Sequence, residues 1–273
     1  MDDFLGLLTQ RTRVYDLGRP LANGIPQSAD HPTFRMNLGR RHGDLMRADG
    51  STGSNEVVIT GGHVGTHVDA LSHISFDGLL HGGVAVADAL EGGRYVTHGA
   101  EEIGPWVCRG VLLDVAGTLG RDRLDGGEEV RPEHLEAARA ASDVELRAGD
   151  VVLVRTGWGR IFGDKAAYEG ADTGTPGVGP DAARWLAAKA PRAVGSDTIA
   201  LERLPPAGTP GGLPVHKILV VDAGIHLIET MDLEALAADR VVEFALVLAP
   251  LALVGATGAP VRPLALVPAG GQP

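Results

Sequence analysis

Apolar positions along this chain come in short runs closed by glycine or proline, and long helical stripes are few. Residues 13–21 begin as a strand and stop at a Gly/Pro break, and Asn23-Gly24-Ile25-Pro26 is a turn. Residues 56–60 (Glu-Val-Val-Ile-Thr), 110–115, 151–156, 193–198 and 264–267 read as further strands, most of them rich in branched aliphatic side chains. Helices are expected after Pro132, over residues 180–190 and over residues 232–238, where alanine-rich stretches follow a proline or an acidic start. Residues 217–221 fit a strand or a buried helix, with the segment 225–229 following, and residues 242–253 form the most apolar run, which belongs in the core. Residues 27–44 mix proline, serine, histidine and arginine around Phe34 and Met36 without periodicity, and read as a loop that walls a pocket or merely connects. Strand and helix patterns alternate through the second half, which predicts an α/β class with a mixed β-sheet. No linker separates two halves, so a single domain over residues 1–273 is expected.

Composition narrows the partners. A formal net charge of -11 argues against nucleic acid and against an anionic membrane surface, since both call for basic patches. No apolar run approaches the ~20 residues that span a bilayer, and residues 1–5 are acidic at the start, unlike an export signal. The one cysteine, Cys108, cannot form an intrachain disulfide; it sits in an apolar stretch and reads as a small core residue. A cytoplasmic enzyme acting on a small molecule fits this balance.

The chemistry concentrates in His63-Val64-Gly65-Thr66-His67-Val68-Asp69-Ala70-Leu71-Ser72-His73. His63 and His67 stand four residues apart, a spacing that shares a face on a helix. A helix is disfavoured by the strand-like run before it and by Gly61-Gly62 and Gly65. A straight strand fails as well, because four residues at about 3.3 Å each separate the two imidazoles by about 13 Å. The backbone must therefore fold back at Gly65, bringing His63, His67 and Asp69 around one centre. Asp69 to His73 is expected to start a helical turn that places His73 beside that centre. Two imidazoles and a carboxylate suit zinc, manganese or ferrous iron and leave positions open, as a catalytic site requires. His73 is then the natural general base.

Six fixed positions in these eleven residues resemble the signature of the metal-dependent cyclase-like hydrolase superfamily, which includes bacterial kynurenine formamidase and isatin hydrolase. Tyr15-Asp16-Leu17, residues 195–198, residues 213–216, Leu227-Ile228-Glu229 and residues 257–262 resemble family blocks in the expected order. The resemblance implies a swivelling β/β/α fold, a homodimer, His63, His67 and Asp69 as metal ligands and His73 as the acid/base. In formamidase-like members Asp69 would bridge to a second ion held by residues matching His216 and Glu229. Isatin-hydrolase-like members work with one manganese, and Ala70-Leu71 before His73, with Asp77-Gly78 following, leans that way; formamidases tend to carry proline where Leu71 stands. The expected activity is hydrolysis of a cyclic or N-acyl amide by one divalent ion, Mn2+ or Zn2+. The competing readings are an arylformamidase, a lactone hydrolase or biosynthetic cyclase or dehydratase on the same site, and a non-catalytic metal-dependent binding protein. Trp106, Trp158, Phe34 and Phe76 are candidates for an aromatic lining with core packing as the default, and His42, His81, Asp197 and Arg262 have no role assigned.

Overall fold

The computed structural model describes residues 12–269, so the acidic residues 1–5 lie outside the described part. In chain order the principal strands are β1 (Thr12–Asp16), β2 (Arg35–Arg40), β3 (Asn55–Ile59), β4 (His67–Asp69), β5 (Trp106–Asp114) and β6 (Val151–Arg155). They continue as β7 (Ala193–Ser196), β8 (His226–Glu229), β9 (Glu243–Leu248), β10 (Gly258–Pro260) and β11 (Leu264–Pro268). Nine of them make one mixed sheet in the order β1-β11-β9-β5-β6-β7-β8-β4-β10. The centre, β5 to β8, is parallel, and antiparallel strands flank it on both sides.

Parallel strands need cover on both faces, and the sequence supplies side chains for it. Val111, Leu113, Val152 and Val154 cluster with Leu135 and Ala138 of helix α1 (Pro132–Ala141) and with Ala182, Ala183 and Leu186 of α2 (Pro180–Ala187). Both helices start at a proline, where its missing N–H costs nothing. On the opposite face Leu112 and Leu153 pack with Trp106, Phe244, Leu246 and Leu236, the last on the short helix α3 (Glu234–Ala238). Buried Arg155 spans the end of this layer, pairing with Asp114 at 2.7 Å and Glu234 at 2.8 Å.

Three local expectations change, and one open alternative is decided. The supposed loop 27–44 contains β2, which pairs antiparallel with β3 as a two-stranded ribbon outside the main sheet. Neither strand of this ribbon has a buried residue, and Met36, Leu38, Val57, Val58 and Ile59 stay 40–58% exposed. Asp69 ends a strand and does not cap a helix; the chain turns directly, with the His73 N–H donating to the Ala70 carbonyl at 2.9 Å. Residues 217–221 resolve as helix, a π-helical stretch Lys217–Asp222 continuing the turn Pro214–His216. The apolar run 242–253 enters the sheet only as β9, and Leu251, Leu253 and Val254 beyond Pro250 are exposed. Pro250 has no N–H to extend the ladder.

Candidate metal centre

The site lies where β8, β4 and β10 meet at one end of the sheet. In β4, His67 and Asp69 are two apart and project to the same face. Antiparallel register places Glu229 of β8 opposite His67, so that carboxylate reaches the same face from the neighbouring strand. His63 arrives through the reversal at Gly65, whose φ of 67° belongs to the left-handed region. A side chain at Gly258 would collide with the His63 ring, so the imidazole lies against bare backbone of β10. His216, on the turn Pro214–His216, closes the cluster from the far side.

The distances define one cage. His63 Nδ1 lies 2.8 Å from Asp69 Oδ1, and His63 Nε2 meets the Thr257 hydroxyl at 2.9 Å. His67 Nδ1 donates to the Gly65 carbonyl at 2.8 Å, which leaves Nε2 as a lone pair. That nitrogen faces Asp69 Oδ1 at 3.5 Å and Glu229 Oε2 at 3.4 Å. His216 repeats the pattern: Nδ1 is bonded to Glu202 Oε1, while Nε2 faces Glu229 Oε1 at 3.5 Å and Asp69 Oδ2 at 3.8 Å. His73 stacks on His63 with ring centroids 3.8 Å apart, its Nε2 4.0 Å from Asp69 Oδ2.

Lone pairs of imidazoles aimed at carboxylate oxygens repel unless a positive charge sits between them. His67 Nε2, Asp69 Oδ2 and Glu229 Oε1 are moreover buried without a hydrogen-bond partner. Unpaired buried polar atoms of this kind are rare and costly. The donor set fits a borderline divalent ion, and two groupings bring ligand atoms within 4.8 Å of one another: His63, His67 and Asp69, and Asp69, His73 and His216.

Titration behaviour reflects the same demand for positive charge. Burial opposes charge on His67 and His216, but neighbouring carboxylates outweigh it. Glu229 and Asp69 raise His67, and the bonds to Glu202 and Glu229 bring His216 to about 10. Burial pushes Asp69 up, yet His73 and His63 hold it well below the usual carboxylate range. Glu229 is likewise lowered, because His216 and His67 overcome its burial and the repulsion from Asp69. His73 goes the other way: burial drives it down to about 4 despite the Asp69 carboxylate, leaving a neutral imidazole at neutral pH.

All six singled-out residues, His63, His67, Asp69, His73, His216 and Glu229, thus converge on one site. Sequence reasoning missed Glu202, Thr257, His226 and His31 around it. His226 Nδ1 donates to the Asp69 carbonyl at 2.8 Å, and His31 stacks over His63 at 5.1 Å. His31 also lines a cavity of about 450 Å³ with Gln27, Lys165 and Glu169, so part of the 27–44 stretch does wall a pocket. The unassigned residues fall elsewhere. His42 bonds the Thr52 hydroxyl, His81 donates to the Val221 carbonyl, and Arg262 pairs with Asp16 at the surface. Asp197 accepts from the amides of Thr156 and Gly159, a loop-holding role. Trp106, Trp158 and Phe34 are core residues, and Phe76 is exposed under the Lys217 ammonium.

A mixed α/β sheet carrying a buried cage of imidazoles and carboxylates defines a class of proteins with a cation site at the sheet end. Within that class, the chain belongs to the Cyclase family, which matches residues 15–203. Isatin hydrolase from Roseibium aggregatum is 38% identical over 131 residues, 45% of this chain and 47% of that protein, so the match spans about half the relative's length. Among solved structures, a novel cyclase superposes with a TM-score of 0.84 at 28% identity, covering 94% of this chain and 88% of its own. An isatin hydrolase bound to the product analogue thioisatinate gives 0.74 at 25% identity, with 97% of both chains covered.

Proposed function

We propose that this protein is a metal-dependent hydrolase that opens the carbon–nitrogen bond of a cyclic amide, with the substrate class of isatin hydrolase. The observation that carries the reading is the lone pair of His67 Nε2, buried and unpartnered between Asp69 and Glu229. In this reading His63, His67 and Asp69 hold a divalent ion, manganese or zinc, and His216 and Glu229 stand beside them as ligands to the same or a second ion. Such an ion polarises a carbonyl and lowers the pKa of water from 15.7 toward ~7. His73 Nε2 takes the proton as water attacks and returns it to the leaving nitrogen, acting in turn as base and acid. The stacked His63 ring holds the His73 imidazole in plane for both transfers. The fully buried Asp69 anchors the cage from one side, and the cavity beside His31 offers room for a planar ring.

The test is a screen of the protein loaded separately with manganese and zinc against isatin-like cyclic amides, N-formyl anilides and lactones. Turnover of the cyclic amides is expected to exceed that of the other two. A preference for formanilides would make the protein an arylformamidase, a preference for lactones would make it an esterase, and binding without turnover would make it a binding protein.

The proposal extends to one domain over residues 1–273, a cytoplasmic location and a homodimer. Support for the dimer comes from the β2–β3 ribbon, because a two-stranded ribbon with apolar residues exposed on it is at best marginally stable alone. Replacing Val57 and Ile59 together by glutamate is expected to convert the dimer to monomer in sedimentation velocity. An unchanged sedimentation coefficient would place the dimer contact elsewhere.

A further inference from the structure

We infer that Glu202 is a positioning residue, a buried carboxylate whose task is to fix the His216 imidazole so that its Nε2 is presented to the cation. Glu202 is 1% exposed and belongs to no principal strand or helix. Yet it is held firmly. Its backbone bridges Val178, the neighbouring Leu204 exchanges both backbone hydrogen bonds with Thr175, and Leu201 before it adopts a left-handed φ of 54°. Gly177 leaves no clearance, since a side chain there would run into the backbone of residues 202 and 203.

The three hydrogen bonds that this carboxylate accepts all come from one short turn. Oε2 accepts from the Val215 N–H at 3.2 Å, and Oε1 accepts from the His216 N–H at 3.3 Å and from His216 Nδ1. Pro214 has no N–H to offer, so the two amides that Glu202 takes are the first two available in the turn. The carboxylate therefore caps the backbone and grips the ring of the same residue. Because a carboxylate only accepts, the proton of His216 must sit on Nδ1, and Nε2 is turned toward Glu229 and Asp69. Imidazole ligands are commonly oriented in this way by a carboxylate on the remote nitrogen, which also raises their basicity. Without Glu202 the ring is free to rotate, and Nε2 leaves the cage.

The inference rests on His216 being a ligand, so the experiment separates the two claims through a double-mutant cycle. Affinity for manganese and for zinc is measured by competition with a chromogenic chelator on the wild type, Glu202→Ala, Glu202→Gln, His216→Ala and His216→Ala/Glu202→Ala. The metal-free melting temperature of each is followed by circular dichroism. Glu202→Ala is expected to weaken binding roughly 10- to 100-fold. Glu202→Gln keeps one acceptor oxygen for Nδ1 and is expected to recover part of that loss. In the His216→Ala background the Glu202 substitution should change affinity by less than about 2-fold, because positioning acts only through the imidazole. Equal losses in both backgrounds, or a lowered melting temperature with unchanged metal affinity, would overturn the positioning role and leave His216 as a ligand. Unchanged affinity in His216→Ala would overturn both. If Glu202→Ala does not fold, Glu202→Gln carries the cycle with the same criteria.

Discussion

Replacing His73 by alanine is expected to cut turnover of the preferred amide by roughly 10²- to 10⁴-fold, the usual share of a positioned acid/base, while the protein keeps its full metal content. The expectation rests on position and on charge. His73 stands at the rim of the cage, its side chain 16% exposed where Asp69 is fully buried, so it is the imidazole that a substrate and water can reach. Burial holds it down to about 4, which leaves Nε2 free to accept a proton at neutral pH. Its distance of 4.0 Å from Asp69 Oδ2 is longer than that of His63, and its ring leans on His63 instead of bonding to the carboxylate. Steady-state kinetics and elemental analysis on the same preparation decide the matter. Full activity would remove His73 from the mechanism. A loss of activity that tracks a loss of metal would instead make it a ligand, as its proximity to Asp69 and His216 also permits.

Asp69→Ala is expected to have the larger effect on the centre itself. Asp69 is the hub of the cage: Oδ1 holds His63 at 2.8 Å and faces His67 at 3.5 Å, and Oδ2 faces His216 at 3.8 Å. Removing an outer hydrogen-bond partner of a ligand typically costs 10- to 100-fold in metal affinity, and removing the hub should cost more. Elemental analysis after dialysis should find the variant essentially free of metal, with activity lost in proportion. Full occupancy in Asp69→Ala would refute its ligand role. Asp69→Asn separates charge from shape, since it preserves volume and one acceptor oxygen; it too is expected to bind metal weakly, because His63, His67 and His216 then lose a negative charge that all three face.

Much of the site was legible before any fold was known, and the reason is local. His63, His67, Asp69 and His73 lie within eleven residues, and the reversal at Gly65 follows from chain geometry alone. Local reasoning failed in the next few residues, where a helical turn was expected after Asp69. Pairing of β4 with both β8 and β10 keeps residues 67–69 extended, and that pairing partner lies far along the chain. The ribbon strand β2 was missed for a similar reason, since its alternation is weak and only β3 gives it a partner. His216 and Glu229 entered through family resemblance, because a histidine ahead of an apolar segment and a lone glutamate carry no signal of their own.

The sequence by itself determined the imidazole and carboxylate types that meet in the cage, the hinge that gathers the first three of them, and the α/β class with its mixed sheet. Those properties reside in neighbouring residues and in the period of apolar positions. Tertiary structure alone decided that Glu229 stands opposite His67, that His216 closes the cage with Glu202 behind it, and that His31 stacks over His63. Each of these is a contact between segments remote in sequence, set by strand register and by turns whose partners no local pattern encodes.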